Sequence, residues 1–328
     1  MNEELAKAIE EQALAHSFSA CGIISLEDLE AFAESFEKRL RDVPESAPFY
    51  ERLRPLTRVR ERFPWAKSIV VCTTGYRKYQ YPEALQHKFA KAFVLSRDSD
   101  PAMTKEKAGF TEWLTAQGIR WARKDEQAHL QVGSLRFAAM MAGLGIIRKN
   151  NFFYDENGSF VDLDGYAIDA ECRLYHHKKF HPCSEKCHFC QDACPTHALQ
   201  GPHAMNPLRC VSFCNTFGGG HYPDDVTDAQ LGTWTIGCDA CQDACPFNRA
   251  KNWDEGEAFP HLAEAAPAFE LEHLAEASDE DIIAQIIPWT ARHIQPAQTE
   301  LVRQSARRAL KNEQRAAMSC APPVRTCV

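Results

Sequence analysis

Nine of the 14 cysteines lie between Cys183 and Cys245, and their spacing is typical of redox chemistry. They form two motifs, Cys183-x3-Cys187-x2-Cys190-x3-Cys194-Pro195 and Cys238-x2-Cys241-x3-Cys245-Pro246, with Cys210 and Cys214 between them. Closely spaced thiolates followed by proline bind [4Fe-4S] clusters in bacterial-type ferredoxins. The sequence therefore predicts two such clusters and a protein that moves single electrons.

In two-cluster ferredoxins the cysteine before the proline ligates the other cluster. This crossed pairing predicts two sets of ligands. Cluster A takes Cys183, Cys187, Cys190 and Cys245. Cluster B takes Cys194, Cys238, Cys241 and either Cys210 or Cys214, a choice that the spacing leaves open. Paired cysteines also bind zinc, but the doubled cysteine–proline pattern favours iron–sulfur clusters.

The elements around these cysteines suggest three regions. Residues 1–178 alternate helical and strand patterns, with strands at 21–26 and 67–76 and a hairpin over 150–168 that turns at Asn157-Gly158. We expect an α+β domain there. Residues 179–252 are rich in Cys, His, Pro and Gly, which is typical of a domain ordered by metal. Residues 253–328 are predicted to be helical with a loose tail.

Charge and hydropathy exclude several classes of protein. Lys and Arg number 37 against 45 Asp and Glu, so a net charge of −8 gives no general attraction to nucleic acid. Arg303, Arg307, Arg308 and Lys311 form a local basic stripe that could meet RNA phosphate, although such a stripe is usually a solvated face. No apolar run approaches a membrane span, and the N-terminus lacks an export signal. We expect a cytoplasmic protein.

Motifs along nearly the whole chain resemble those of the epoxyqueuosine reductases, cobalamin-dependent enzymes of tRNA modification with two clusters. The segment FPWAKSIVVCTTGY resembles the family's "PGARSVIVVGLNY", and MAGLGIIRKN is similar to "RAGLGWIGKN". NPLRCVSF resembles "DARRCISY", and GCDACQDACPFN resembles "GCDxCQxVCPWN". HSFSACGI and LVRQSARRALKN resemble the opening strand and the C-terminal helix.

This resemblance implies a nitroreductase-like domain that holds base-off cobalamin, followed by a ferredoxin-like double-cluster domain and a short helical region. It selects Cys210 over Cys214 as the fourth ligand of cluster B. It places Lys149 and Asn150 in the cobalamin region. It also implies a flavodoxin or ferredoxin as electron donor, with electrons entering at cluster A and passing through cluster B to the cobalt.

Two departures from the family pattern favour a substrate that differs from epoxyqueuosine. The position of the family's catalytic aspartate falls on His129, whose unperturbed pKa of roughly 6.5 suits a proton donor. Arg148 replaces a family glycine.

Three functions are weighed. The first is an epoxyqueuosine reductase-like enzyme of queuosine biosynthesis acting on tRNA. The second is a cobalamin-dependent reductase of another small molecule, similar to reductive dehalogenases. The third is a two-cluster electron carrier without catalysis, which residues 1–178 would make needlessly long.

Overall fold

The computed structural model describes residues 2–127, 130–249, 252–290 and 293–320. In this part of the chain the main sheet has four antiparallel strands in the order β1-β2-β6-β3. Two small sheets pair β4 with β5 and β7 with β8. The strands are β1 Ala20–Ser25, β2 Ser68–Gly75, β3 Trp121–Ala122, β4 Ile146–Ile147, β5 Phe153–Tyr154, β6 Val161–Ile168, β7 Leu199–Gly201 and β8 Ala204–Met205.

The helices cover both faces of the main sheet and dominate the C-terminal region. The longer ones are Glu3–Ala15, Phe32–Asp42, Pro101–Ala116, Leu135–Met141 and Thr299–Cys320. The shorter α-helices are Leu26–Glu30, Ala47–Glu51, Val59–Arg62, Lys91–Val94, Phe189–Asp192, Val211–Cys214, Asp228–Leu231, Ala240–Asp243, Leu262–Ala265, Leu271–Glu276 and Asp279–Asp281, and Ile282–Ile286 is a π-helix. None of the helices that the structure describes is long and apolar enough to cross a bilayer. The α+β class is confirmed.

Strand β2 is central to the main sheet. Its run of Ile, Val and Val is buried because the sheet carries helices on both faces, as the apolar pattern predicts. Val70 stands opposite Ile23 of β1 on one side and Tyr166 of β6 on the other.

The predicted hairpin over 150–168 is wrong. The turn exists, since Asp155 and Gly158 form an isolated bridge, but β5 pairs with β4 and β6 pairs with β2 and β3. The turn therefore connects β5 of the small β4–β5 sheet to β6 of the main sheet. Its sequence fixes the local reversal but not the partners of the flanking strands.

One hydrophobic core crosses the predicted region boundaries. It joins residues 76–95, which follow β2, to Ile236 of the cysteine-rich segment and to the C-terminal helices through Leu274, Ile282 and Val302. Within the first of these stretches the chain forms a 3-10 turn at Glu83–Leu85 and the short helix Lys91–Val94. The C-terminal region thus packs against the other two regions instead of standing apart.

Candidate redox site

The cysteine-rich segment folds around two separate cavities. Cys183, Cys187, Cys190 and Cys245 line the first, together with Phe189, Pro246 and Phe247. Burial, followed by the neighbouring thiolates of Cys245, Cys183 and Cys187, raises the pKa of Cys190 to about 11. A bound cation is what stabilises closely packed thiolates of this kind. We call these four cysteines group A.

Cys194, Cys210, Cys238 and Cys241 line the second cavity, which has a volume of about 200 Å³. Burial raises the pKa of both Cys238 and Cys241 well above the ordinary value, and the other thiolates of the set raise it further. We call these four cysteines group B.

Cys214 is fully buried away from this cavity. Its Sγ lies 3.3 Å from the carbonyl oxygen of Leu208. The structure therefore brings together the sets that crossed pairing predicts, with Cys210 in the fourth position of group B. Among the described residues, no set of three His, Cys, Asp or Glu is arranged to hold a single metal ion.

Short helices and a polar network hold the second motif in place. Cys241 lies in the helix Ala240–Asp243, and Asp239 precedes it. The Asp239 carboxylate accepts hydrogen bonds from the backbone N–H of Lys91 at 2.8 Å and from its Nζ at 3.2 Å. Gln242, which directly follows Cys241, accepts a 2.7 Å hydrogen bond from the Ser159 hydroxyl. These three hydrogen bonds anchor the second cysteine motif to the first region.

A larger cavity of about 500 Å³ opens beside group A. Its wall includes Cys183, so group A lies next to it, whereas no group B cysteine lines it. Apolar side chains on its surface come from the helices Phe32–Asp42 and Leu135–Met141 and from β4: Phe32, Phe137, Met140, Ile146 and Ile147. The size falls within the usual range for ligand pockets, about 300–1,000 Å³.

The polar part of this wall is strongly cationic and carries donors that lack partners. Buried Arg39 Nε, Arg148 Nε and Asn151 Nδ2 have no hydrogen-bond partner in the structure. Burial, and then the charge of Arg39, lowers the pKa of Arg136 to about 10. Buried donors are normally satisfied, so this wall is suited to a ligand that brings hydrogen-bond acceptors.

Of the predicted cobalamin residues, Lys149 lines this cavity and Asn150 does not. The Nζ of Lys149 donates to the carbonyl oxygens of Ser184, Glu185 and Cys187 at 2.8–2.9 Å and so fixes the loop of group A. Buried Asn150 donates 2.8 Å and 3.4 Å bonds to Tyr154 Oη and to the Cys241 carbonyl. It lies between the two cysteine cavities, which differs from the prediction.

The predicted proton donor His129 lies outside the described residues. Asp125, the neighbouring carboxylate, is buried in an ion pair with Arg62 at 2.5 Å, so it does not face the cavity. Ser134, further along the chain, does line the cavity. His203 also lines it, and burial together with Arg39, Lys38 and Lys149 lowers the pKa of this imidazole.

The predicted basic stripe of the last helix is largely used within the chain. Arg303 pairs with Asp279 and Glu300, and Arg307 lies 3.4 Å from Glu300. Half-buried Arg308 donates to the Trp234 carbonyl. The cationic surface suited to an anionic ligand is instead the wall of the large cavity. Sequence reasoning missed Arg39 and Arg136 because an arginine on an amphipathic helix gives no signal of its own.

Comparisons with known proteins agree with this geometry. Residues 183–248 match the model of the 4Fe-4S double cluster binding domain. The chain therefore carries a domain that binds two [4Fe-4S] clusters. The motif spacing and the arrangement of the two cysteine groups are consistent with this match.

Curated relatives named epoxyqueuosine reductase align with most of the chain. The protein of Synechocystis sp. is 26% identical over 73% of this chain and 82% of its own length. That of Gloeobacter violaceus is 28% identical over 77% and 78%. The protein of Synechococcus sp. strain CC9605 is 38% identical over a third of each chain.

Solved structures share the fold. An epoxyqueuosine reductase from Streptococcus thermophilus has a TM-score of 0.67 at 21% identity, covering 97% of this chain and 84% of its own. A crystal structure of epoxyqueuosine reductase with an epoxyqueuosine-modified tRNA-Tyr stem loop has a TM-score of 0.70 at 20% identity, covering 96% and 83%. This chain is therefore similar to the epoxyqueuosine reductases over most of its length, and it shares their fold. The predicted resemblance is confirmed.

Proposed function

We propose that this protein is a cobalamin-dependent iron–sulfur oxidoreductase of queuosine biosynthesis that reduces epoxyqueuosine in tRNA. The observation that carries the proposal is the juxtaposition of two four-cysteine cavities with a cationic 500 Å³ cavity whose wall includes Cys183. A tRNA substrate would place the reaction in the cytoplasm. We also propose the nitroreductase-like fold for the first domain and the three-region organisation described above.

We assign the cluster ligands to groups A and B. Group A thiolates would hold the cluster beside the large cavity, and group B thiolates would hold the second one. Phe217, 62% exposed, lines the group B cavity and offers an apolar surface to a flavodoxin or ferredoxin. We therefore propose that electrons enter at group B and leave from group A, the reverse of the order expected from sequence.

The residues of the large cavity fit a corrinoid. Its ring carries peripheral amides whose carbonyl oxygens accept hydrogen bonds, and Arg39, Arg148 and Asn151 offer unpartnered buried donors. Phe137 and Met140 supply an apolar surface for the ring face. Cobalamin, when bound, would supply a strongly reducing metal centre. The protein supplies orientation, exclusion of water and a nearby cysteine cluster.

Substrate binding and proton delivery fall to other residues of the same region. Arg39 and Arg136 provide positive charge that suits the phosphates of an RNA loop. His129 remains our proposed proton donor, since it precedes Ser134 of the cavity wall by five residues in the sequence. A positioned side chain that delivers a proton contributes roughly 10²–10⁴-fold to a rate.

The direct test is nucleoside analysis of epoxyqueuosine-containing tRNA after anaerobic incubation with the reconstituted protein, cobalamin and reduced flavodoxin. We expect queuosine to form with the wild-type protein and with Cys214→Ser, and no product with Cys183→Ser. Absence of product from a protein with full iron and bound cobalamin would overturn the tRNA substrate in favour of a small-molecule substrate. If the protein carries full iron but does not bind cobalamin, the result would favour the two-cluster electron carrier.

A further inference from the structure

Arg148 lies between the group A cysteines and the large cavity. Together with Lys149 and Cys183, it lines both spaces. Its side chain is 6% exposed. A guanidinium keeps its charge even when buried, so Arg148 places a permanent positive charge beside one cysteine set.

The contacts of Arg148 direct that charge at group A. Its Nη1 lies 3.8 Å from Cys183 Sγ. The guanidinium carbon lies 3.3 Å from the centre of the Phe247 ring, which follows Cys245-Pro246, and 5.0 Å from that of Tyr154. Among the described residues, these partners include no carboxylate that would neutralise it.

We propose that Arg148 is a positioning residue that raises the reduction potential of the cluster held by group A. One-electron reduction of a [4Fe-4S] cluster adds one negative charge to it. A fixed cation at this distance, in a site with little water, stabilises the reduced form more than the oxidised form. Net charge and hydrogen bonds to the sulfurs are among the factors that set such potentials.

The effect should be confined to one cluster. Arg148 does not line the cavity of group B. The charge of Arg148 therefore acts on the group A cluster. A raised potential at that cluster would favour electron transfer from group B to the cluster beside the large cavity.

The test is an anaerobic redox titration of the reconstituted protein followed by electron paramagnetic resonance, with neither cobalamin nor tRNA present. It thus depends on the clusters alone and not on the proposed substrate. Arg148→Gln removes the charge, and Arg148→Lys keeps it without the planar stack. Lys186→Gln is the matched control, since it removes a positive charge at an exposed side chain between Cys183 and Cys187 of group A.

We expect Arg148→Gln to lower the potential of one cluster only. The equilibrium constant for its reduction should fall about tenfold, or about 59 mV for a one-electron couple. Lys186→Gln should leave both potentials unchanged, and Arg148→Lys should keep most of the wild-type value. An unchanged potential in Arg148→Gln with full iron content would overturn the proposal. If Arg148→Gln loses iron, the Arg148→Lys variant provides the test. A fall of about tenfold in the equilibrium constant for cluster reduction in Arg148→Lys, which retains the positive charge, would also overturn the proposal.

Discussion

Lys91 holds the cluster-bearing segment against the core through a buried ion pair. Its side chain is 3% exposed, and its Nζ lies 3.2 Å from Asp239 and 2.9 Å from Asp243. The Asp239 side chain is 1% exposed. Trp253 stacks near the ammonium, with its ring centre 4.9 Å away. Replacing Lys91 with Met keeps the approximate volume and leaves Asp239 buried without a cation.

The cost of that substitution follows from burial. Removing one partner of a buried pair typically costs about 3–5 kcal/mol, because the remaining charge is uncompensated. Lys78 and Glu257 form the control pair at 3.2 Å, with side chains 56% and 65% exposed. Exposed pairs contribute about 0–1 kcal/mol, so Lys78→Met should barely change the stability.

The assay is urea unfolding of the anaerobic holoprotein followed by circular dichroism. Burial raises the pKa of Asp239, and loss of the Lys91 charge would raise it further. A carboxyl whose folded pKa is raised loses stability as the pH rises through that value. The defect in Lys91→Met should therefore be smaller at pH 5 than at pH 8. A free energy of unfolding within about 1 kcal/mol of wild type at pH 8 would refute the reasoning.

Three further predictions concern the fourth cysteine of group B, the proposed proton donor and a carboxyl of strand β6. Cys210→Ser should lose about half of the iron, while Cys214→Ser keeps all of it, as measured by iron analysis after reconstitution; equal iron contents would contradict the ligand assignment. His129→Asn should lower the single-turnover rate at least about tenfold with tRNA binding unchanged; an unchanged rate would exclude His129 as the donor. Burial, and then the charge of Asp164, raises the pKa of Asp162 to about 7, so stability should fall as the pH rises from about 4 to about 7, and Asp162→Asn should remove that slope in urea unfolding.

The cysteine groups were predictable because their information is local. Spacing within each motif sets which thiolates share a turn, and the proline after Cys194 and Cys245 redirects the chain. The sequence alone left Cys210 and Cys214 open, since both lie between the motifs. Their difference is tertiary: the short helix Val211–Cys214 places Cys214 against the Leu208 carbonyl and leaves Cys210 at the cavity.

The large cavity could not be predicted in the same way. Its walls come from residues far apart in the chain, such as Arg39, Arg136 and His203. The prediction of strand pairing over 150–168 failed for a related reason. The turn at Asn157-Gly158 specifies a reversal of the chain, but it does not specify which strands pair. Arg148 gave a signal only as a departure from the family pattern, and its position between group A and the cavity depends on the packing of Phe247.

The central claim is that the cavity beside group A binds a corrinoid in a two-cluster reductase. The measurement that tests it most directly is an anaerobic titration of the reconstituted protein with cobalamin, followed by visible spectroscopy, for the wild type and for Met140→Trp, which fills the apolar wall. We predict a saturable shift to a base-off spectrum in the wild-type protein and a weakened or absent shift in Met140→Trp, with both proteins carrying full iron. No shift in the wild-type protein at any protein concentration would contradict the account.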